Sequence, residues 1–284
     1  MENKQTNPFI NLITHICLSL AVLLVLIPIF WLIIVSLKDA GGLYSLTIDI
    51  NKLSFDNYRN LFIKTDFLNW LKNSLIVCIL SSTLALFFTT TAGYAFSRFQ
   101  FPGKKRGLGA ILIIQMFPAM MGMVALYKLL GVISNLTNGV IGFNIFGLIL
   151  IYTGGGLPFN IWLVKGYVDS LPKELEESAY IDGATPWQAF SRVVFPLMSP
   201  ILVVIGIFTF IGAYNDFLIP SIVLMDSSQY TMAVGLRSFI SSNFSTNWTM
   251  FAAAAMLGAT PILIIFLSLQ KFLVKGLTKG AVKG

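Results

Sequence analysis

Residues 165–192 read KGYVDSLPKELEESAYIDGATPWQAFSR, a polar island in a chain that is nearly solid hydrocarbon on both sides of it. The island has the grammar of two short helices. Pro172 suits a first helical turn, where a missing N–H costs little. Gly183, following Asp182, permits the left-handed geometry that ends a helix. Thr185-Pro186-Trp187-Gln188 then reads as a capping box with proline at the first helical position. An ordered polar helix pair between apolar walls predicts docking into a partner. The alternative is an amphipathic hairpin lying on the membrane surface.

The walls follow from composition. Of 284 residues, 56% are hydrophobic and 11% charged, and the mean hydropathy is +0.81. Soluble domains carry roughly 25% charged residues, so the chain reads as an all-α integral membrane protein, a single transmembrane domain over 1–284. The net charge of +7 does not point to nucleic acid, because the basic residues sit at the ends of apolar spans. Cys17 and Cys78 both fall within apolar runs, which argues against a disulfide framework or a zinc site. The uncharged run Ile16–Leu37, 22 residues long, exceeds the core of a cleavable signal peptide and reads as a retained first span with Pro28 as a kink.

Spanning takes about 20 apolar residues. Six segments qualify, at roughly 14–37, 73–97, 108–130, 144–164, 197–219 and 249–271. A turn at Ser134–Gly139 separates the third from the fourth. Gly154, Gly155, Gly156 and Pro158 predict a broken helix in the fourth. Placing both termini in the cytoplasm puts 12 of the 19 Lys and Arg residues inside, with the FQFPGKKR loop and the basic tail setting the orientation. Trp70, Tyr127 and Trp248 then fall in an outer aromatic belt, and Trp162 and Tyr167 in an inner one. The outer segment 38–72 is expected to hold a short surface helix. Residues 220–248 read as a Ser/Asn-rich outer loop. The 165–192 pair is cytoplasmic.

Few residues are fit for chemistry, and no catalytic or metal-binding set emerges. No G-x-x-x-x-G-K-[ST] phosphate loop is present, so ATP hydrolysis is not expected of this chain. His15 stands alone and reads as an interfacial structural residue. The cluster Met116, Met120, Met121, Met123 reads as adaptable packing rather than a metal site. Small residues at Ala92-Gly93 and from Ala252 to Ala259 read as helix-packing surfaces. The near absence of charge in the spans disfavours a proton- or sodium-coupled carrier, which keeps relay acids or histidines there. Without plausible catalytic pairs, a membrane-embedded enzyme is disfavoured too. Asp216 lies 20 residues past Pro196, about 30 Å along a helix, and reads as a capping or solvated acid at the outer end of span five. The second reading places it in a solute pathway with Tyr214 and Asn215. Asn144, Tyr152 and Asn160 are further pathway candidates.

In the polar island, a helix from Glu174 puts Leu175, Ser178, Ala179 and Asp182 on one small face that a partner can approach closely. Trp187 and Phe190 follow as large anchors of the kind enriched in interface hot spots. The wording of the segment is more specific than its physics. Glu177-Ser178-Ala179, then Gly183 after three residues, then Val193-Val194-Phe195-Pro196 after nine more, resembles the EAA motif of permease subunits of binding-protein-dependent ABC importers. The departures from the pattern (Ser178 for Ala, Val193 for Ile, Phe195 for Leu) stay small or apolar. FDNYRNLF, NWLKNSL, YAFSRFQFPGKK and QKFLVKGLTKGAVKG extend the resemblance over nearly the whole chain, to the smaller permease subunit of maltose/maltodextrin-type systems.

That resemblance implies a type I importer permease fold in a prokaryotic cytoplasmic membrane, with a cytoplasmic coupling helix in the region 165–196. It implies coupling to an ATPase through Glu177, Ser178, Ala179, Asp182, Gly183, Ala184 and Pro196. The implied partners are a second permease subunit, an ATPase homodimer that uses ATP and Mg, and an external sugar-binding protein. The tail 276–284 resembles one that also reaches the ATPase, in keeping with its flexible, basic composition. This chain itself is expected to bind no cofactor.

Overall fold

The computed structural model describes residues 8–39, 53–240 and 247–281, and among them every regular element is helical. Four segments are long and apolar enough to cross a membrane unaided: Phe9–Leu37, Phe67–Arg98, Pro186–Asn215 and Trp248–Gln270. They belong to α1 (Pro8–Leu37), α3 (Phe67–Arg98), a composite rod described below, and α13 (Trp248–Ala281). α1 runs unbroken through Pro28. The backbone of α13 stays helical to Ala281, so residues 276–281, expected to be a flexible tail, continue that helix instead.

The expected third span, 108–130, is two helices rather than one. α4 (Lys104–Gln115) and α5 (Met123–Leu136) are separated by Met116–Pro118 and a 3₁₀ turn, Ala119–Gly122. Pro118 has no N–H to offer and disfavours helical geometry at Phe117. The chain tightens there into i→i+3 bonds, from Met116 N–H to Ile113 and from Phe117 N–H to Ile114. At 1.5 Å per residue each piece is shorter than the ~30 Å hydrocarbon layer. Met116 and Met121 stand exposed at the break rather than packing within the chain. The turn expected at 134–139 forms over its second half, with Ser134–Leu136 ending α5 and Asn138 and Gly139 at positive φ.

The fourth span also breaks, at the predicted glycines. α6 (Ile145–Gly155) and α7 (Leu157–Asp169) meet at an angle of 42°. After α7 come α8 (Glu174–Ile181), α9 (Pro186–Ala189), a π-turn over Phe190–Val194, and α10 (Phe195–Asn215). The last three form one continuous rod. In the π-turn the Phe195 N–H reaches back five residues to the Phe190 carbonyl. This register suits Pro196, which has no N–H to extend an ordinary ladder. The expected boundary between the coupling region and span five therefore does not exist as a break. Two short helices follow, α11 (Leu218–Val223) and α12 (Met232–Arg237).

The chain packs as two compact units, residues 1–67 with 236–259, and residues 68–235 with 260–284. In the first, α2 (Asp56–Lys64), the surface helix expected in segment 38–72, closes the end of α1. Asn57 donates to the Ser36 and Lys38 carbonyls at 2.9 and 2.7 Å, and Ser54 N–H to that of Leu37. These are the carbonyls a helix end leaves without partners. Thr249 on α13 donates to Asn57 Oδ1 at 3.2 Å, and Ala252, Ala253 and Ala254 are fully covered, as their small size predicts.

In the second unit α3 runs through two apolar clusters. Val77 joins Leu130, Leu148 and Val223 at one end, and Tyr94 joins Val164, Val168, Phe190 and Met198 at the other. Gly93 permits the close approach of α3 to α7, since a Cβ there would lie 2.5 Å from Val164 Cγ1. Residues 224–235, read as loop, are instead docked on the start of α3. Asn73 donates to the Ser228 and Tyr230 carbonyls at 2.9 and 3.1 Å, and Met232 N–H to Ser74 Oγ at 2.7 Å. Asp226 caps the turn, and the bonds it accepts from Ser228 hold its carboxyl below the usual range. Trp70, expected in the outer belt, is buried against Gly235. Residues 241–246 of that expected loop lie outside the described residues.

A Cβ at Gly235 would fall 2.1 Å from Trp70 Cδ2, so Gly235→Ala overpacks this joint. The expected cost is about 1–3 kcal/mol. Thermal unfolding of the detergent-solubilised protein should show a midpoint lowered by several degrees, partly restored by adding Trp70→Leu.

Candidate functional site

The helix pair stands out because it is rigid and yet uncovered. α8 opens with Glu174, Glu176 and Glu177, acids that suit the positive end of a helix. Pro172 lies just outside the helix, before the Lys173 N-cap, rather than in its first turn. At the other end, Gly183 has φ +85°. The Ala184 N–H bonds to the Ala179 carbonyl and the Gly183 N–H to that of Tyr180, the paired bonds of a Schellman ending. Two residues later the capping box closes. Gln188 N–H bonds to Thr185 Oγ1 at 3.3 Å, and Thr185 N–H bonds to Gln188 Oε1 at 2.8 Å. The connection between the two helices thus has its backbone fixed at both sides.

Glu177, Ser178, Asp182, Gly183 and Pro196 are exposed, while Ala179 and Ala184 are half-buried beneath them. Ser178 Oγ bonds back to the Glu174 carbonyl, so the hydroxyl is spent within its own helix. The surface is not the small face expected from the sequence. Ile181 is 86% and Trp187 67% exposed, and Leu175 and Tyr180 join them. Of the two expected anchors only Trp187 projects. Phe190 is buried in the cluster below, its ring 4.7 Å from that of Tyr94.

What holds the pair in place is a residue the sequence reading passed over. Glu176 is 6% exposed, and both its oxygens are used. Oε1 takes Arg98 Nε at 2.5 Å and Oε2 takes the Tyr94 hydroxyl at 2.8 Å. Arg98 also donates through Nη2 to the Leu171 carbonyl at 3.1 Å. Nearby, Asp169 is bonded by Lys165 and by Ser97 Oγ, both at 2.5 Å. The signal available in the sequence was the doublet Glu176-Glu177, whose members point about 100° apart on a helix. One faces solvent and the other faces the end of α3, where Tyr94 and Arg98 share a face by i,i+4 spacing.

The pathway candidates fall into two groups. Tyr152 and Asn160 line one cavity of about 540 Å³, set between the α6–α7 break and α10. Gln115 and Thr209 are its other polar groups, and Phe159 and Phe208 are its aromatic walls. Neither Gln115 nor Thr209 was singled out, although a glutamine inside an apolar run was a readable sign. Tyr152 donates to Asp216 Oδ2 at 3.0 Å, and Asp216 Oδ1 caps the start of α11 through Leu218 N–H at 2.9 Å. The remaining candidates stand apart. Asn144 caps α6, accepting from Gly147 N–H and donating to the Gly139 and Val140 carbonyls. Tyr214 is buried and stacked on Phe210, and Asn215 is exposed at the helix end. His15 bonds the Asn11 carbonyl of its own helix.

Residues 90–279 match the family model described as "Binding-protein-dependent transport system inner membrane component". The chain is 37% identical over 278 residues to the maltodextrin transport system permease protein MdxG of Bacillus subtilis, covering 96% of this chain and 98% of that one. It is 37% identical over 285 residues to the maltose/maltodextrin permease MalG of Escherichia coli K12, covering 96% and 95%. In three dimensions it resembles a chain of a bacterial ABC transporter that imports the acidic polysaccharide alginate, with a TM-score of 0.79 at 20% identity over 95% of this chain and 99% of that one. A second alginate transporter structure, solved with its periplasmic protein bound to an alginate pentasaccharide, matches at TM-score 0.65 and 17% identity over 90% and 91%. The overall fold is thus shared with a known transporter chain, and the family match over residues 90–279 with the 37% identical permeases places the sequence: the chain belongs to the inner-membrane components of binding-protein-dependent transport systems.

Proposed function

We propose that this chain is the smaller permease subunit of an ATP-driven importer of maltose/maltodextrin-type oligosaccharides. The observation that carries this reading is the hairpin 174–189, held rigid by its caps and pinned from below, yet presenting Ile181 and Trp187 uncovered. Together with the maltodextrin permeases it is similar to, that surface favours a soluble ATPase as its occupant. In this reading α8 seats in a groove of one ATPase subunit, with Glu177, Ser178, Ala179, Asp182, Gly183 and Ala184 at the contact and Pro196 ending the motif. ATP and Mg are held by the ATPase and not by this chain. ATP-driven closure of the ATPase dimer carries the hairpin as a rigid body. A heterodimer with a second permease then rocks from inward-open to outward-open and receives sugar from an external binding protein.

The same reading places both termini in the cytoplasm and counts six spans, α4 and α5 together making an interrupted third. The ~540 Å³ cavity with Tyr152, Asn160, Gln115 and Thr209 is its candidate contribution to the sugar path. Asn144, Tyr214, Asn215 and Asp216 lie outside that lining, with Asp216 joined to it through Tyr152.

Gly183→Pro tests the docking. Its φ of +85° is out of reach of a proline ring fixed near −65°. The expected result is an inserted permease that no longer co-purifies with its ATPase, or does so without sugar uptake in proteoliposomes. Normal uptake with normal ATPase recovery would remove the hairpin from the mechanism. Wild-type uptake that survives ATP depletion and collapses with an ionophore would instead identify an ion-coupled carrier. Asp216→Ala removes the acceptor of both the Leu218 N–H and the Tyr152 hydroxyl, a local cost of about 1–3 kcal/mol, and uptake is expected to stay largely intact. A complete loss of uptake in an assembled complex would make Asp216 a pathway residue.

A further inference from the structure

α3 has polar anchors at both ends. At its start, Asn73 and Ser74 hold the backbone of 228–232 through three hydrogen bonds. At its end, Tyr94 and Arg98 hold Glu176 of α8, and Arg98 also holds the Leu171 carbonyl. Lys104 donates to the Ser97 and Phe99 carbonyls, which closes the end of α3 against fraying. The 26 residues from Asn73 to Arg98 are helical throughout, a rise of about 38 Å, more than the ~30 Å hydrocarbon layer. The hairpin therefore has two mechanical outlets. Its second arm is covalently continuous with α10 through the π-turn. The first arm reaches α3 chiefly through buried Glu176, with Tyr180 also beside Tyr94.

We propose that α3 is a rod that carries movement of the α8 hairpin to the outer segment 228–235, and that Glu176 is the positioning residue at its driven end. This rests on the importer reading above. A buried carboxylate with both oxygens occupied transmits force in two directions on α3, along Arg98 and across through Tyr94. Phe190 packed on Tyr94 prevents the joint from swivelling. Glu177, one residue on, faces the partner, so the doublet divides its work: one acid outward to the engine, one inward to the rod.

The test uses the whole transporter in lipid nanodiscs and proteoliposomes. It compares wild type, Glu176→Gln, Arg98→Gln, the double variant and Tyr94→Phe. Three quantities are read: ATPase co-purification, sugar moved per ATP hydrolysed, and hydrogen exchange at the Tyr230–Met232 amides with and without ATP plus vanadate. Glu176→Gln is expected to keep the ATPase bound, to lower sugar per ATP about tenfold, and to abolish the nucleotide-dependent change in exchange at 230–232. The double variant is expected to be no worse than either single one, since both break the same joint. Tyr94→Phe keeps the ring and loses one bond, and is expected to fall between. Glu176→Gln with wild-type stoichiometry and a wild-type exchange response overturns the proposal. Should Glu176→Gln fail to assemble, Tyr94→Phe decides, and a wild-type response there overturns it equally. If the wild-type complex itself shows no ATP-dependent uptake, the importer reading fails, which is a separate result.

Discussion

The structure depends most on one buried ion pair, Arg98 with Glu176. Such a pair is a poor source of net stability, because taking two charges out of water costs about what their attraction returns. Its effect is on specificity. With one partner removed, the other is left uncompensated at a cost of roughly 3–5 kcal/mol, so competing placements of α8 that separate the two are strongly disfavoured. Apolar packing alone would leave the hairpin free to slide, since Val164, Val168 and Met198 below it have no directional preference. The charged pair and the Tyr94 hydroxyl supply that direction. They set which face of α8 is buried and therefore which face is shown.

A second constraint is proline placement. Pro118 splits the expected third span, and Pro196 sits two residues past the end of a π-turn that merges the hairpin with span five. The same chemistry, a missing N–H and a ring that crowds the preceding turn, gives a break in one place and a continuous rod in the other. The difference lies in the surroundings. Around Pro196 the helix widens by one residue, and Phe190 and Val194 are buried on either side of the wide turn. Around Pro118 the neighbours Met116 and Phe117 are exposed.

Local features of the fold were legible in the sequence. Gly183 and the Thr185/Gln188 box depend on residues within five positions of each other, and the bend at Gly154–Gly156 follows from a run of glycines. The small faces at Gly93 and Ala252–Ala254 read correctly because side-chain size is itself the signal. The features that could not be read join residues far apart. Glu176 and Arg98 are separated by 78 positions, and Asn73 and Ser228 by 155. Periodicity carries no information about such partners. Trp70 was misplaced for the same reason: an aromatic near a span end suits a lipid belt equally well until Gly235 is known to cover it. Among the pathway candidates, Tyr152 and Asn160 share a cavity, whereas Asn144, chosen for its polarity, is a helix cap.

The closing of α1 has a consequence for how this chain is made. Carbonyls at the end of the first helix are satisfied by Asn57, and Asn57 in turn is bonded by Thr249, 192 residues later. A nascent chain can close the end of its first helix once Asn57 has been made, but the donor that Asn57 Oδ1 accepts from arrives only when the start of α13 has been synthesised. A truncated chain that stops before residue 249 leaves Asn57 Oδ1 without that donor, however well its middle has packed.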